Sequence, residues 1–131
     1  MMIWTFFDYV SDQGKNYIEV WVAKDLSVSE QEKFSDLLAM LRKMAQWKKE
    51  PFYKALNVGK TRGLGELRFD GDRRKLRVLG TDKASGINQY VLLVGCSHKQ
   101  KIYDPPNAFE TAIKRKTMLE TGTGAIYERK A

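Results

Sequence analysis

Apolar residues in the first third of the chain follow patterns that predict one strand and then two helices. The segment WTFFDYV (residues 4–10) is dense in aromatic and β-branched residues, which is typical of a strand. Residues 17–26 alternate as a strand would but also fit one helical face, and a short helix is the favoured interpretation. Ser27 and Glu30 have the spacing of a capping box, and apolar residues then repeat at helical intervals as far as Trp47.

The middle of the chain predicts a second short helix and then three strands. Pro51 is suited to the first turn of a helix over PFYKALN (residues 51–57), which Gly59 would end. The strand candidates are residues 64–69, 74–80 and 90–97. The third contains YVLLVGC, which is apolar on both faces and therefore predicts a central strand that is covered on both sides or flanked by other strands.

The C-terminal part predicts one more helix and a loosely held tail. Asp104 followed by Pro105 has the pattern of an N-cap and a first-turn proline, and a mostly apolar helical face follows. Residues 120–131 contain two glycines and little pattern, so we expect a tail that is mobile or docks weakly. The sum is a single α+β domain over residues 1–131, with helices packed on one face of a small, largely antiparallel sheet.

The hairpin GLGELRFDGDRRKLRVLGTD (residues 63–82) carries most of the candidate chemistry. A two-residue loop at Gly71 and Asp72 would place Arg68 opposite Lys75 and Glu66 opposite Arg77. Alternation along the strands then buries one set of side chains and leaves the other on the opposite face. The buried set is Leu67, Leu76 and Val78, and the charged set is Glu66, Arg68, Lys75 and Arg77.

The charged face of the hairpin has two interpretations. It can be the solvated side of a half-buried sheet with a modest Glu66–Arg77 pair, and the pattern alone favours this interpretation. Alternatively, Arg68 and Arg77 present planar donor groups to phosphate oxygens and stabilise charge that builds on phosphorus.

Charge is distributed unevenly along the chain, and this distribution favours a polyanionic partner. The formal net charge is +7. Residues 1–41 have three lysines against seven acids, whereas residues 42–54, 60–80 and 98–116 are each strongly basic. Clustered cations attract nucleic acid because neutralised phosphates release counterions, although a solvated basic surface has the same composition.

Other features narrow the class of protein. A single cysteine, Cys96, excludes an intramolecular disulfide framework, and the chain has no His/Cys cluster with zinc spacing. The first ten residues lack the basic region of a signal peptide, and the longest apolar runs are too short to cross a membrane. We therefore expect a cytoplasmic protein without membrane association, a metal or another cofactor.

The segment GCSHKQKIYDPP adds a possible acid–base group to the arginines. It has the only histidine, His98, followed by Lys99, Lys101 and Tyr103. Neighbouring lysines lower the pKa of an imidazole and favour its neutral form. A strand next to the hairpin would bring this segment to the arginines. Metal-independent cleavage of RNA by its own 2′-hydroxyl needs such a base, cationic stabilisation and an acid for the leaving oxygen.

The ordered series PFYKAL, GLGELRF, RKLRVL, YVLLVG and HKQKIYDPPNAFETAIKRK resembles the RelE/ParE toxin superfamily, and within it the HigB-like branch related to phage proteins. The resemblance covers residues 50–116. It implies a RelE-like toxin fold, Arg68 and Arg77 as site residues, and Lys99 and Lys101 from the basic strand end. With His98, these form the expected catalytic set, and Arg74, Lys75 and Tyr103 are the expected RNA-binding set.

The resemblance also implies a function and partners. It indicates the toxin of a type II toxin–antitoxin pair, a ribosome-associated mRNA endoribonuclease that a cognate antitoxin protein neutralises. The same superfamily contains inhibitors of gyrase that cleave nothing, and fold alone does not decide activity. The alternatives are therefore a ParE-like inhibitor of a protein target or a non-toxic, phage-derived nucleic-acid-binding protein.

Overall fold

The computed structural model describes residues 3–56, 59–82 and 86–130. These residues form an α+β fold with a largely antiparallel sheet, as the sequence predicts. In chain order the elements are β1 (Thr5–Ser11), α1 (Tyr17–Asp25), α2 (Val28–Leu41), β2 (Tyr53–Leu56), a short 3-10 helix (Gly59–Thr61), β3 (Leu64–Asp70), β4 (Lys75–Thr81), β5 (Gln89–Lys99), β6 (Ile102–Asp104), α3 (Ala108–Glu120) and β7 (Gly124–Glu128). No helix within these residues is long and apolar enough to span a membrane.

The sheet has the strand order β2-β3-β4-β5-β1-β7, and β6 pairs with the far end of β5. Strands β1 and β5 are parallel, whereas the other pairs are antiparallel. As predicted, β5 is central, with β4 on one side and β1 and β6 on the other. Its apolar residues supply both cores, with Tyr90 and Leu92 on one face and Val91 and Leu93 on the other.

Helices cover both faces of the sheet, so the prediction of helices on one face is wrong. Helices α1 and α2 bury one core, in which the Trp21 ring lies where a side chain at Gly95 of β5 would otherwise project. Helix α3 buries the second core through Ala108 and Ala112. The sequence indicates only one apolar stripe per helix, and the sheet face that each stripe meets depends on tertiary connections.

Helix α2 ends at Leu41, earlier than the predicted end near Trp47. The carbonyl of Arg42 accepts hydrogen bonds from the backbone amides of Ile3 and Trp4, at 2.7 and 3.0 Å, rather than from a following turn of helix. Trp47 is fully buried in the first core despite lying outside the helix. Apolar residues continue past the end of the helix because the residues of the following loop also pack into the first core.

The predicted helix over residues 51–57 is wrong, because Tyr53–Leu56 form strand β2 along the edge of β3. The last residue of that prediction, Asn57, lies outside the described residues. Tyr53 covers Gly65 of β3 so closely that a Cβ there would lie 2.0 Å from the tyrosine oxygen. Gly59 has a positive φ of 54° but begins the 3-10 helix instead of ending an α-helix.

Two C-terminal predictions also need correction. Helix α3 begins at Ala108 with Asn107 as its N-cap, so Asp104 and Pro105 precede the helix. The tail is not loose, because Gly124–Glu128 pair with β1 as strand β7. Gly122 lies in the turn after α3, with a φ of 79°, and Gly124 is the first residue of the strand.

The β3–β4 hairpin has a four-residue loop, Gly71–Arg74, instead of the predicted two-residue loop. Arg68 therefore pairs with Arg77, and Phe69 pairs with Leu76. The register is displaced by two residues, which preserves the predicted faces because side chains alternate with a period of two. The longer loop is held by Glu30 of α2, whose carboxylate accepts hydrogen bonds from the Asp72 amide and from Arg74.

Candidate functional site

Four strands bring five of the predicted site residues together on one face of the sheet. Arg68 of β3 pairs with Arg77 of β4, and Lys75 of β4 pairs with His98 of β5. His98 in turn pairs with Tyr103 of β6. The prediction that β5 brings its basic end beside the hairpin arginines is therefore confirmed. We call Glu66, Arg68, Lys75, Arg77, His98 and Tyr103 the sheet-end cluster.

The centre of the sheet-end cluster is the carboxylate of Glu66, which is only 1% exposed. Arg68 donates to its Oε1 from Nε and Nη2, at 3.0 and 2.9 Å. Tyr103 donates its hydroxyl to Oε2 at 2.6 Å, and Arg77 Nε lies 3.9 Å from Oε1. Glu66 therefore orients two guanidinium groups and one phenol, a role that the sequence pattern did not assign to it.

The arginines of this cluster differ in their access to solvent. The side chain of Arg77 is 8% exposed, and its buried Nε makes no hydrogen bond to any described residue. Arg68 is 22% exposed, and its Nη1 lies 3.3 Å from Glu50, a carboxylate at the surface. The fully solvated interpretation of this sheet face is wrong for Glu66 and Arg77, whereas Lys75 does extend into solvent at 62% exposure.

His98 lies between the cations and the aromatic side chains. Its ring centroid is 4.6 Å from that of Tyr103, and its buried Nδ1 makes no hydrogen bond within the described part of the chain. Burial, reinforced by the positive charge of Arg77, lowers the pKa of His98 below 6.5. The imidazole is consequently neutral at pH 7 and able to accept a proton.

Tyr103 lies between the other residues of the cluster and helix α3. Its ring packs against Phe109 of α3 with centroids 4.6 Å apart. Burial, together with the hydrogen bond to Glu66, raises the pKa of Tyr103 well above 10. The phenol is therefore a protonated donor that fixes the Glu66 carboxylate.

Three predicted site residues lie apart from the sheet-end cluster. Lys99 follows His98 and so projects from the opposite face of β5, and Lys101 is in the turn between β5 and β6. Arg74 binds the buried carboxylate of Glu30 through Nε and Nη2, at 2.9 and 2.7 Å. These hydrogen bonds hold the hairpin loop against α2.

An open pocket of about 610 Å³ adjoins the cluster at the ends of β3 and β4. Arg68, Lys75 and Arg77 contribute to its wall. No group of three or more His, Cys, Asp or Glu side chains in residues 3–56, 59–82 and 86–130 is placed to hold a metal ion. The side chains that are present can bind an anion, orient it and accept a proton beside it.

Sequence reasoning identified the cations of this site but missed the residues that arrange them. Glu66 was visible only as a partner in an ion pair, and Phe109 only as an apolar helix position. An acid between basic residues on an otherwise apolar strand is the signal that could have marked Glu66. The chain matches no protein-family model, and comparisons with curated proteins and with solved structures find no match either.

Proposed function

We propose that this chain is a toxin of the RelE/ParE superfamily, in its HigB-like branch, and that it is a cytoplasmic, ribosome-associated mRNA endoribonuclease. The observation that carries the proposal is the convergence of Arg68, Lys75 and His98 at the open edge of the sheet-end cluster. A cognate antitoxin that covers this basic face would neutralise it. The resemblance of residues 50–116 to that superfamily agrees with the same placement.

The chemistry uses the accessible groups of the cluster. His98 accepts the proton of a 2′-hydroxyl as its oxygen attacks the neighbouring phosphorus. Arg68 and Lys75 stabilise the negative charge on the phosphate oxygens during the displacement. The bond to the 5′ oxygen breaks and leaves a 2′,3′-cyclic phosphate, and Lys75 donates the proton that the leaving oxygen takes up.

Buried members of the cluster act by positioning. Arg77 and Tyr103 contact Glu66, and Glu66 fixes the planar donor group of Arg68. Replacing Arg77 would leave the buried Glu66 carboxylate short of a partner and would disturb the fold. The informative substitutions are therefore those of the more accessible residues, Lys75 and His98.

The test is inducible expression combined with mapping of RNA ends, and cleavage assays of the purified protein on programmed ribosomes. The wild-type chain is expected to stop growth and to produce RNA with new 5′-hydroxyl ends. Lys75→Ala and His98→Gln should each lower the cleavage rate by about 100-fold or more. Lys43→Ala, an equal change of charge in the turn after α2, should leave the rate unchanged.

Two results would overturn the proposal. Growth arrest with intact RNA would favour the ParE-like inhibitor of a protein target. Harmless expression with only salt-sensitive RNA binding would favour the phage-derived binding protein. Thermal unfolding of each variant shows whether a lost activity reflects a lost fold.

A further inference from the structure

The pocket beside the sheet-end cluster combines two kinds of wall. One face of α2 forms one side of the pocket. The α2 residues that line the pocket are spaced three and four positions apart, so they lie on the same face of the helix. The helix contributes Lys33, Asp36, Leu37 and Met40. The two residues before β2, the end of β3 and the start of β4 form the rest. The pocket volume of about 610 Å³ is in the range of small-molecule sites.

The apolar wall is suited to a flat ring. Phe69 is held in place by stacking on Phe34, with ring centroids 5.5 Å apart and planes inclined by 16°. Phe52 and Met40 line the same pocket, and Met40 is 41% exposed although most of the apolar α2 residues are buried. Aromatic and thioether side chains stack well on the planar, polarisable face of a nucleobase.

The polar wall has charges of both signs. Asp70, whose side chain is 81% exposed, lies 3.7 Å from Lys75 on the strand side, and Lys33 shares the α2 side with Asp36. Arg68 and Lys75 line the side that is shared with the sheet-end cluster. Arg77 adds a nearly buried guanidinium whose Nε makes no hydrogen bond to the described residues. Asp36 lies on the α2 side and is exposed. One side of the pocket therefore favours a phosphate, and the other offers a hydrogen-bond acceptor.

We propose that this pocket binds the guanine base of a nucleotide whose phosphate lies on Arg68 and Lys75. The inference rests on the proposed function, because the same two cations hold the reacting phosphate, and it adds a determinant of base preference. An ionised carboxylate only accepts hydrogen bonds, and guanine presents N1–H and N2–H side by side. Uracil presents a single N–H between two carbonyl oxygens, which the Asp36 carboxylate repels.

Binding of free mononucleotides tests the pocket independently of ribosomes and of cleavage. We expect guanosine 3′-monophosphate to bind the wild-type protein about ten-fold more tightly than uridine 3′-monophosphate or inorganic phosphate. The methyl resonance of Met40 and the ring resonances of Phe69 should shift on addition of the guanine nucleotide. Asp36→Asn should remove most of the ten-fold difference, since an amide donates as well as accepts.

Glu32→Gln is the matched control, because Glu32 is an exposed acid of the same helix that does not line the pocket. It should keep the wild-type preference. Equal binding of both nucleotides and phosphate, or shifts confined to residues outside the pocket, would overturn the inference. A guanine preference in a protein that cleaves no RNA would support the pocket and reject the endoribonuclease proposal, so the two failures are distinguishable.

Discussion

Glu66 determines what the surrounding cations can do. A carboxylate that is 1% exposed is costly unless charged donors satisfy it, and Arg68, Tyr103 and the nearby Arg77 supply them. Glu66 is one buried negative charge beside two guanidinium groups. Arg68 also pairs with Glu50, which is 75% exposed, and Lys75 pairs with Asp70, which is 81% exposed. Solvent screens these two exposed carboxylates, so an anionic ligand can replace them on Arg68 and Lys75 at the open side of the cluster.

The hydrogen bond from Tyr103 to Glu66 should contribute measurably to stability. Tyr103→Phe keeps the packing on His98 and Phe109 but removes the donor, and we expect the free energy of unfolding to fall by about 2 kcal/mol. Denaturant titration measures this change. Tyr127→Phe, at an exposed position, is the control and should have little effect. Equal stabilities of the two variants would contradict the assigned role.

The lowered pKa of His98 predicts the acid side of the pH–rate profile. The imidazole must be neutral to accept a proton, so cleavage should increase as the pH rises through a value below 6.5 and then level off. Arg77, Arg68 and Lys75 lower this pKa, whereas Glu66 raises it. The midpoint should therefore move upward in Lys75→Ala, where residual cleavage is followed under single-turnover conditions. A midpoint that does not move would reject His98 as the base.

The alternation of side chains along a strand was sufficient to predict which face of the sheet the hairpin cations occupy. Alternation placed Arg68, Lys75 and Arg77 on one face even though the predicted register was displaced by two residues. The pattern could not indicate that Arg74 binds Glu30, which is 44 residues away and belongs to a helix. Long-range ion pairs of this kind leave no periodic signal in a sequence.

At the scale of elements, local signals located most helices and strands, and tertiary contacts decided the others. The capping box of Ser27 and Glu30 begins α2 as predicted, and β3, β4 and β5 lie close to their predicted ranges. Strand β2 and strand β7 were missed because each is short and is stabilised by pairing with a distant strand edge. Propensity within four or five residues cannot indicate that such an edge is available.

The junction between α2 and the hairpin loop should make stability sensitive to acid. Hydrogen bonds from Arg74, from Ser27 and from the Asp72 amide lower the pKa of Glu30 from 4.5 to about 2. A lowered pKa means that the stabilisation is complete above about 4.5 and is lost as the pH falls toward 2. After allowance for solvent screening at the partly exposed Arg74, the contribution is about 2 kcal/mol.

Glu30→Gln tests this junction. At pH 7 the variant should be less stable than the wild type by about 2 kcal/mol, and the difference should shrink as the pH falls from 4.5 toward 2. Urea unfolding at a series of pH values measures both curves. Glu32→Gln, a solvent-exposed substitution two residues away, should follow the wild-type curve. A constant difference across this range would show that Glu30 does not titrate as inferred.

At the scale of the whole molecule, Arg129 joins the last strand to the first part of the chain. Its amide donates to the carbonyl of Phe6 at 2.8 Å, and Arg42 donates to its carbonyl. Its guanidinium donates to Asp8 at 2.8 Å and to Glu19. Strand β1 and helix α1 therefore share the cation of Arg129, and Arg42 at the end of α2 binds its carbonyl. These contacts explain why a glycine-containing tail is fixed on the sheet.

Arg129→Ala should therefore lower the free energy of unfolding more than removal of a side chain near a terminus usually does. Asp8 is 3% exposed, and without Arg129 its carboxylate keeps, among the described residues, only the hydrogen bond from Asn16. We therefore expect a loss of about 3 kcal/mol at pH 7. Burial already raises the pKa of Asp8, and loss of the neighbouring cation raises it further. A raised pKa favours the protonated acid in the folded state, so the deficit should be smaller at pH 5 than at pH 7. The double variant Asp8→Asn/Arg129→Ala should recover part of the lost free energy of unfolding, as measured by denaturant titration. Lys130→Ala, at an exposed position, is the control and should change little. If Arg129→Ala were as stable as Lys130→Ala, the C-terminal strand would not depend on this ion pair.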